Sequence, residues 1–153
     1  MAKNKRCPLI ISKEQVEESL FRFKDSKKKE KVLLWLGHIS AGQYYVDEVY
    51  QPIQIAGKDY FRIPESGMAV LLDKLKLNRR MIVAQIHTHP FEAFHSESDS
   101  YWAIIRHEGA YSLVLPYFAK TTNLSNFLDN VAIYTLNKYN CWIQATNNNV
   151  KLI

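Results

Sequence analysis

Apolar residues fall along this chain in runs that switch between helical and extended spacing, and the switches divide it into elements. Ser12 followed by Gln15 has the form of a capping box, and Val16, Leu20 and Phe21, with Phe23 nearby, recur behind it at helical spacing; a helix is expected over about 13–24. The lysine run 27–29 turns the chain. Lys31-Val-Leu-Leu-Trp-Leu36 follows as an unbroken apolar run suited to a central strand, ended by Gly37. After a turn at Gly42 a long strand is expected over about 43–55, and Phe61-Arg-Ile63 closes that region. Met68, Leu71, Leu72 and Leu75 predict a second helix from Ser66 to Leu77, which Asn78-Arg-Arg ends before the strand Met81-Ile-Val-Ala-Gln-Ile86.

The remainder repeats the alternation. Tyr101, Trp102, Ile104 and Ile105 would share one face of a helix over about 97–107, and Tyr111 to Phe118 returns to strand. A short helix near 123–130 and strands near 131–136, 141–145 and 150–153 complete the pattern, with Asn-Asn-Asn at 147–149 read as a hairpin turn. No repeat or linker divides the sequence, so one domain is expected over 1–153. Helices and strands alternating around an apolar central run imply a layered α/β or α+β fold.

Composition narrows this picture little. A chain of 153 residues can bury about two thirds of its unfolded surface without a disulfide. Its 47% hydrophobic and 23% charged residues exclude a disordered or fibrous class. Cys7 and Cys141 stand near opposite ends with no CxxC spacing, which argues against a disulfide framework or a cysteine zinc knuckle and fits a reducing cytoplasm best. The apolar stretch in MAKNKRCPLII is too brief for a signal segment or a membrane span, so neither export nor an anchor is expected. The net charge of +5 rests partly on Lys3, Lys5, Arg6 and the run 27–29. That permits an acidic partner, but basic and aromatic residues are not interleaved as in a nucleic-acid module, and the lysine run reads more simply as solvated surface.

The chemistry lies in H87-T-H89-P-F-E-A-F-H-S96-E-S-D99. Two residues apart at the end of an expected strand, His87 and His89 point to one face and can reach one ion, and Pro90 ends the strand behind them. Asp99, at the start of the next expected helix, can supply a third ligand. Two histidines and a carboxylate suit zinc and leave a fourth position for water, which is what separates a catalytic from a structural site. A further carboxylate must then take the proton of that water, and Glu30, just before the apolar run, is the candidate. Singly, the histidines could be incidental and Ser96-x-x-Asp99 only a helix cap. Those readings must all hold together to displace the metal.

The pattern resembles the JAB/MPN (JAMM) metalloprotease motif: a glutamate opening a strand that ends in glycine, then H-[ST]-H-P, a short loop and S-x-x-D. Here the parts are Glu30-K-V-L-L-W-L-Gly37, His87-Thr-His89-Pro90 and Ser96-E-S-Asp99, in the same order. The loop Phe91 to His95, the stretch Y111-S-L-V-L-P-Y-F118 and Trp142 are similar to small stand-alone bacterial JAB proteins encoded beside E1-like and E2-like ubiquitin-transfer homologues. The resemblance covers about 12–153. Phe91 stands where that group often has glycine, and Ser100 where a second aspartate is common. The resemblance implies a three-layer domain with a central mixed sheet flanked by helices, and one Zn2+ per chain on His87, His89 and Asp99. It further implies Glu30 as general base and acid, and Ser96 as an oxyanion donor that can also cap its helix. The implied activity is an isopeptidase that removes or trims a ubiquitin-like modifier, commonly after a terminal glycine threaded through a narrow groove. The modifier or its conjugate is the expected partner, with E1-like and E2-like proteins of the same operon as further ones. Sulfur-carrier conjugates are the rival substrate, and a metal-free binding scaffold the rival class. His38 and His107 read as structural, Trp35 and Trp102 as core, and His95 as either a neighbour of the ligands, a substrate contact or packing.

Overall fold

In the computed structural model, which describes residues 7–25, 28–58, 60–96, 99 and 103–153, the apolar run after Lys31 forms the middle of a mixed eight-stranded sheet. In chain order the elements are β1 (Leu9–Ile11), α1 (Lys13–Lys24), β2 (Val32–Ser40), β3 (Gln43–Tyr50), the small hairpin β4 (Ile55–Ala56) and β5 (Phe61–Arg62), then α2 (Glu65–Asn78), β6 (Met81–Thr88), β7 (Tyr111–Leu115), α3 (Phe127–Asn130), β8 (Ala132–Leu136), β9 (Trp142–Ala145) and β10 (Val150–Leu152). The sheet order is β10-β1-β3-β2-β6-β7-β8-β9.

Alternation along β2 sorts its side chains to two faces. Leu33 and Trp35 join Val16, Leu20 and Phe23 of α1 in one apolar cluster, whereas Val32, Leu34 and Leu36 pack with Leu71 of α2 in another. A strand covered on both sides has no polar face to show, which is why its sequence is an unbroken apolar run. The helix–sheet–helix layering is therefore as expected, and Trp35 is fully buried with its indole N–H donating to Ser19 Oγ at 3.0 Å.

Several boundaries differ from expectation for local reasons. Gly37 does not end β2. The strand passes through it with a register shift, and a Cβ there would collide with the backbone carbonyl of Tyr45, so glycine permits the close pairing with β3. β3 stops at Tyr50, well short of 55, because Pro52 lacks an N–H for the ladder. Gln54 replaces the lost rung with its side chain, accepting from Val32 N at 2.8 Å and donating to Val32 O at 2.9 Å. Pro116 likewise ends β7 three residues early. The asparagine run is a single 3-10 turn and not a hairpin: β10 crosses to the far edge and pairs in parallel with β1, a three-residue strand too short to show alternation in the sequence. The helix expected near 123–130 is confined to α3, residues 123–126 being a turn held by the Asn123 and Asn126 side chains. Of the helix expected over 97–107, Tyr101 and Trp102 lie outside the described residues, and 103–107 are not helical. Among the described residues no helix is long and apolar enough to cross a membrane.

Candidate metal centre

His87 and Gln85 sit on β6 opposite Val32 and Leu34 of β2, and so share the α2 face of the sheet. The pairing continues past the end of β6, since Thr88 N donates to Lys31 O at 3.3 Å. Glu30 precedes Val32 by two residues, so this continued pairing brings it near His89, whose imidazole feels the Glu30 carboxylate. It is 5% exposed, and its backbone N–H donates to the Gly57 carbonyl beside the β4–β5 hairpin. The distance of more than fifty residues between Glu30 and the histidines in sequence is thus closed by one strand pairing.

Asp99 completes the group. Its Oδ2 lies 3.2 Å from His87 Nε2 and 3.0 Å from His89 Nε2, and the two Nε2 atoms are 3.3 Å apart. A tetrahedral zinc with bonds of roughly 2.0–2.1 Å holds its ligand atoms about 3.3 Å from one another, so this triangle has the edge lengths of such a site. Two neutral nitrogens and one carboxylate oxygen also suit zinc by donor type. The residues present therefore fit the ion. His87 Nδ1 is buried and has no hydrogen-bond partner among the described residues.

Electrostatics agree with a site built for positive charge. Burial alone would raise the Asp99 pKa, but hydrogen bonds from both histidines, the charge of His87 and the Ser96 N–H hold the carboxyl well below its usual range. For His89 burial disfavours the cation, yet Asp99 and the nearby Glu30 carboxylate outweigh it and raise the imidazole pKa. His95 goes the other way: burial, together with His87, His89 and Arg106, lowers it to about 4 against the pull of Asp99.

The loop between His89 and Asp99 is fixed at several points. Its start is gripped by a turn in which Tyr117, Phe118 and Ala119 all adopt positive φ, at 52°, 52° and 62°. Left-handed non-glycine residues cost roughly 1–2 kcal/mol each, and here the conformation aims Phe118 N at His89 O and Tyr117 N at Phe91 O, both at 2.8 Å. At its end Ser96 N donates to Asp99 Oδ2 at 2.9 Å while Asp99 N donates to Ser96 Oγ at 3.0 Å. Ser96 therefore caps, as its alternative reading allowed, and its hydroxyl proton is left for another acceptor. Between these anchors His95 packs against Tyr134 and Trp142, with ring centroids 5.0 and 5.2 Å away, and lies 3.1 Å from Ser112 Oγ. Phe94 meets His89 edge-on at 4.8 Å and is half exposed, and Phe91 is 70% exposed.

The structure thus brings Glu30, His87, His89, Ser96 and Asp99 together, and leaves His38 and His107 elsewhere. His38 pairs with Asp47 at 2.7 Å on the surface, and His107 lies 3.1 Å from the Ile82 carbonyl rather than at a helix end. Sequence reasoning missed Gln85, Ser112 and Tyr134 around His95. The available signal was a lone glutamine within the otherwise apolar Met81–Ile86 run.

No protein-family model matches the chain. It is 30% identical over 100 residues to a protein of Sinorhizobium fredii described as the probable metalloprotease y4jG, an alignment that takes in 60% of this chain and 59% of that protein. The chain therefore spans less than two thirds of that relative's length. In fold it is similar to the solution structure of protein DSY2949 from Desulfitobacterium hafniense, with a TM-score of 0.72 over 95% of this chain and 92% of the other at 16% identity. The chain thus carries a His-His-Asp group able to hold a metal ion and is similar in part to a probable metalloprotease.

Proposed function

We propose that this protein is a zinc-dependent isopeptidase or peptidase of the JAB/MPN type that removes or processes a ubiquitin-like protein modifier. The observation that carries this reading is the meeting of His87, His89 and Asp99 at 3.0–3.3 Å beside buried Glu30. The likeness to a probable metalloprotease supports the peptidase part, and the ubiquitin-like substrate rests on the motif's resemblance.

His87, His89 and Asp99 would hold the ion. When bound, zinc acidifies a coordinated water and polarises a carbonyl oxygen. Glu30, buried near His89, would accept a proton from the attacking water and return it to the departing amine. Ser96 directs its hydroxyl proton at the charge that develops on the scissile carbonyl oxygen. A groove of about 470 Å³, lined mostly by apolar side chains with Arg62 among them, shares Phe61 with the surroundings of His87, the two rings lying 5.2 Å apart, and would offer room for an extended tail.

Purified protein should carry one zinc per chain and hydrolyse a linear fusion at the C-terminal glycine of a ubiquitin-like protein, losing that activity to a chelator. Glu30→Gln should keep the zinc and lose turnover by about 10²–10⁴-fold, the span of general acid–base catalysis. Protein that takes up no metal, or a Glu30→Gln variant as active as the parent, would overturn the proposal.

A further inference from the structure

Gln85 and Ser112 are polar side chains in the middle of the sheet, 1% and 0% exposed, on adjacent parallel strands whose register sets them side by side. An apolar pair of similar volume would serve a purely structural position as well or better, because a buried polar group is costly unless all its bonds are met. These two meet theirs in a particular direction. Gln85 Nε2 donates to Ser112 Oγ at 3.1 Å, and Gln85 Oε1 accepts from the Ile104 backbone N–H at 3.0 Å. Ser112 Oγ, having accepted from Gln85, has its own proton for His95 Nε2 at 3.1 Å. His95 is held from behind as well, its backbone N–H donating to Tyr134 Oη at 3.1 Å.

The two residues this pair grips lie on either side of Asp99. His95 precedes it by four positions and Ile104 follows by five. Gln85 itself stands two residues before His87 on the same strand and the same face. The pair therefore shares a strand with His87 and is hydrogen-bonded to His95 and to the Ile104 backbone, which flank Asp99 in the sequence.

We infer that Gln85 and Ser112, acting through His95 and the Ile104 backbone, form a clamp that sets the position of Asp99 relative to His87 and His89. They are positioning residues, and the inference rests on the metal-centre reading above. With His95 and Ile104 both held, Asp99 presents Oδ2 already at ligand distance, so little ordering remains when the ion arrives.

The test measures zinc affinity by competition with a chromogenic chelator for the parent chain, Ser112→Ala, His95→Leu and His95→Gln, each alone and combined with Asp99→Ala. Ser112→Ala and His95→Leu should weaken zinc binding by about 10–100-fold, the range for partners that orient a ligand. His95→Gln, whose amide can reach the place of Nε2, should recover most of that loss. In the Asp99→Ala background the further losses should vanish, because a clamp with no carboxylate to place has nothing left to do. Parental affinity in His95→Leu, or an equal loss with and without Asp99, would overturn the clamp. Should Ser112→Ala fail to fold, the His95 variants, on the loop, carry the same comparison. A parent chain that binds no zinc would overturn the metal reading itself, whereas a zinc-binding parent with unaffected variants sinks the clamp alone.

Discussion

Ser12 and Ser96 make the same two hydrogen bonds with the residue three positions on, yet one pair opens a helix and the other holds the carboxylate of a His-His-Asp group able to hold a metal ion. At Ser12 the partner is the neutral amide of Gln15: Gln15 N donates to Ser12 Oγ and Ser12 N to Gln15 Oε1, both at 3.1 Å. The spare Gln15 Nε2 reaches the Val46 carbonyl at 3.0 Å, so this cap also ties α1 to β3. At Ser96 the partner is a carboxylate, and the oxygen that accepts the Ser96 N–H faces two buried imidazole nitrogens as well. An amide completes a cap and stops there. A carboxylate, once desolvated beside two nitrogen donors, becomes a receptor for positive charge. What divides a structural cap from a group able to hold a metal ion is thus the charge of the residue three positions on and what the neighbouring strand presents to it.

The largest contrast should come from removing those partners. Asp99→Ala should lower zinc affinity by more than the roughly 100-fold expected for an outer partner of a ligand, and bring hydrolysis to background, because it deletes one of three direct donors. Gln15→Ala should leave zinc content and turnover at the parental level while lowering the melting temperature. Metal analysis alongside steady-state kinetics reads both. Loss of zinc in Gln15→Ala would show that the two caps are not independent.

The serines should separate less widely. Ser96→Ala should reduce kcat by about 10²–10³-fold, the usual effect of deleting one oxyanion donor, with zinc retained; Ser12→Ala should leave kcat and KM unchanged. If Ser96→Ala altered only stability, the two serines would be equivalent, and oxyanion stabilisation would have to come from another group.

Much of this was legible in the sequence because it depends on short-range spacing. The capping box at Ser12, the two histidines two apart at a strand end and Ser96-x-x-Asp99 are local patterns, and the structure keeps the spacing of each. Even Glu30 could be singled out, as a carboxylate flanking the one strand apolar enough to be central. What escaped depends on pairing between distant strands. Three residues of β1 carry no readable period, and their partner β10 lies at the other end of the chain. Gln85 shows in the sequence only as a lone glutamine in an apolar run, and Ser112 and Tyr134 not at all; the three matter because the parallel β6–β7 and antiparallel β7–β8 registers bring them together near His95. Gly37 misled because a glycine that permits close pairing and one that stops a strand look the same until the neighbour is known.

The smallest effects are thermodynamic and distinguish the caps by pH. Ser12→Ala should cost about 1 kcal/mol of stability, and since neither Ser12 nor Gln15 titrates, that cost should be the same at every pH where the protein folds. The Ser96–Asp99 pair should behave otherwise in metal-free protein. Asp99 has a lowered pKa in the fold, so its contribution is present above the unfolded value of about 3.9 and is lost as pH falls through the folded one. His89 is raised, so its contribution is complete below the unfolded value of about 6.5 and is lost as pH rises through the folded one. The cost of Asp99→Asn should therefore be greatest near pH 5, between those limits, and shrink on either side. Urea titrations of the chelator-treated variants at about pH 3, 5 and 8 would read this. A flat profile for Asp99→Asn, matching that of Ser12→Ala, would mean that the carboxylate gains nothing from the imidazoles in the absence of metal, and that the second cap is as neutral in its energetics as the first.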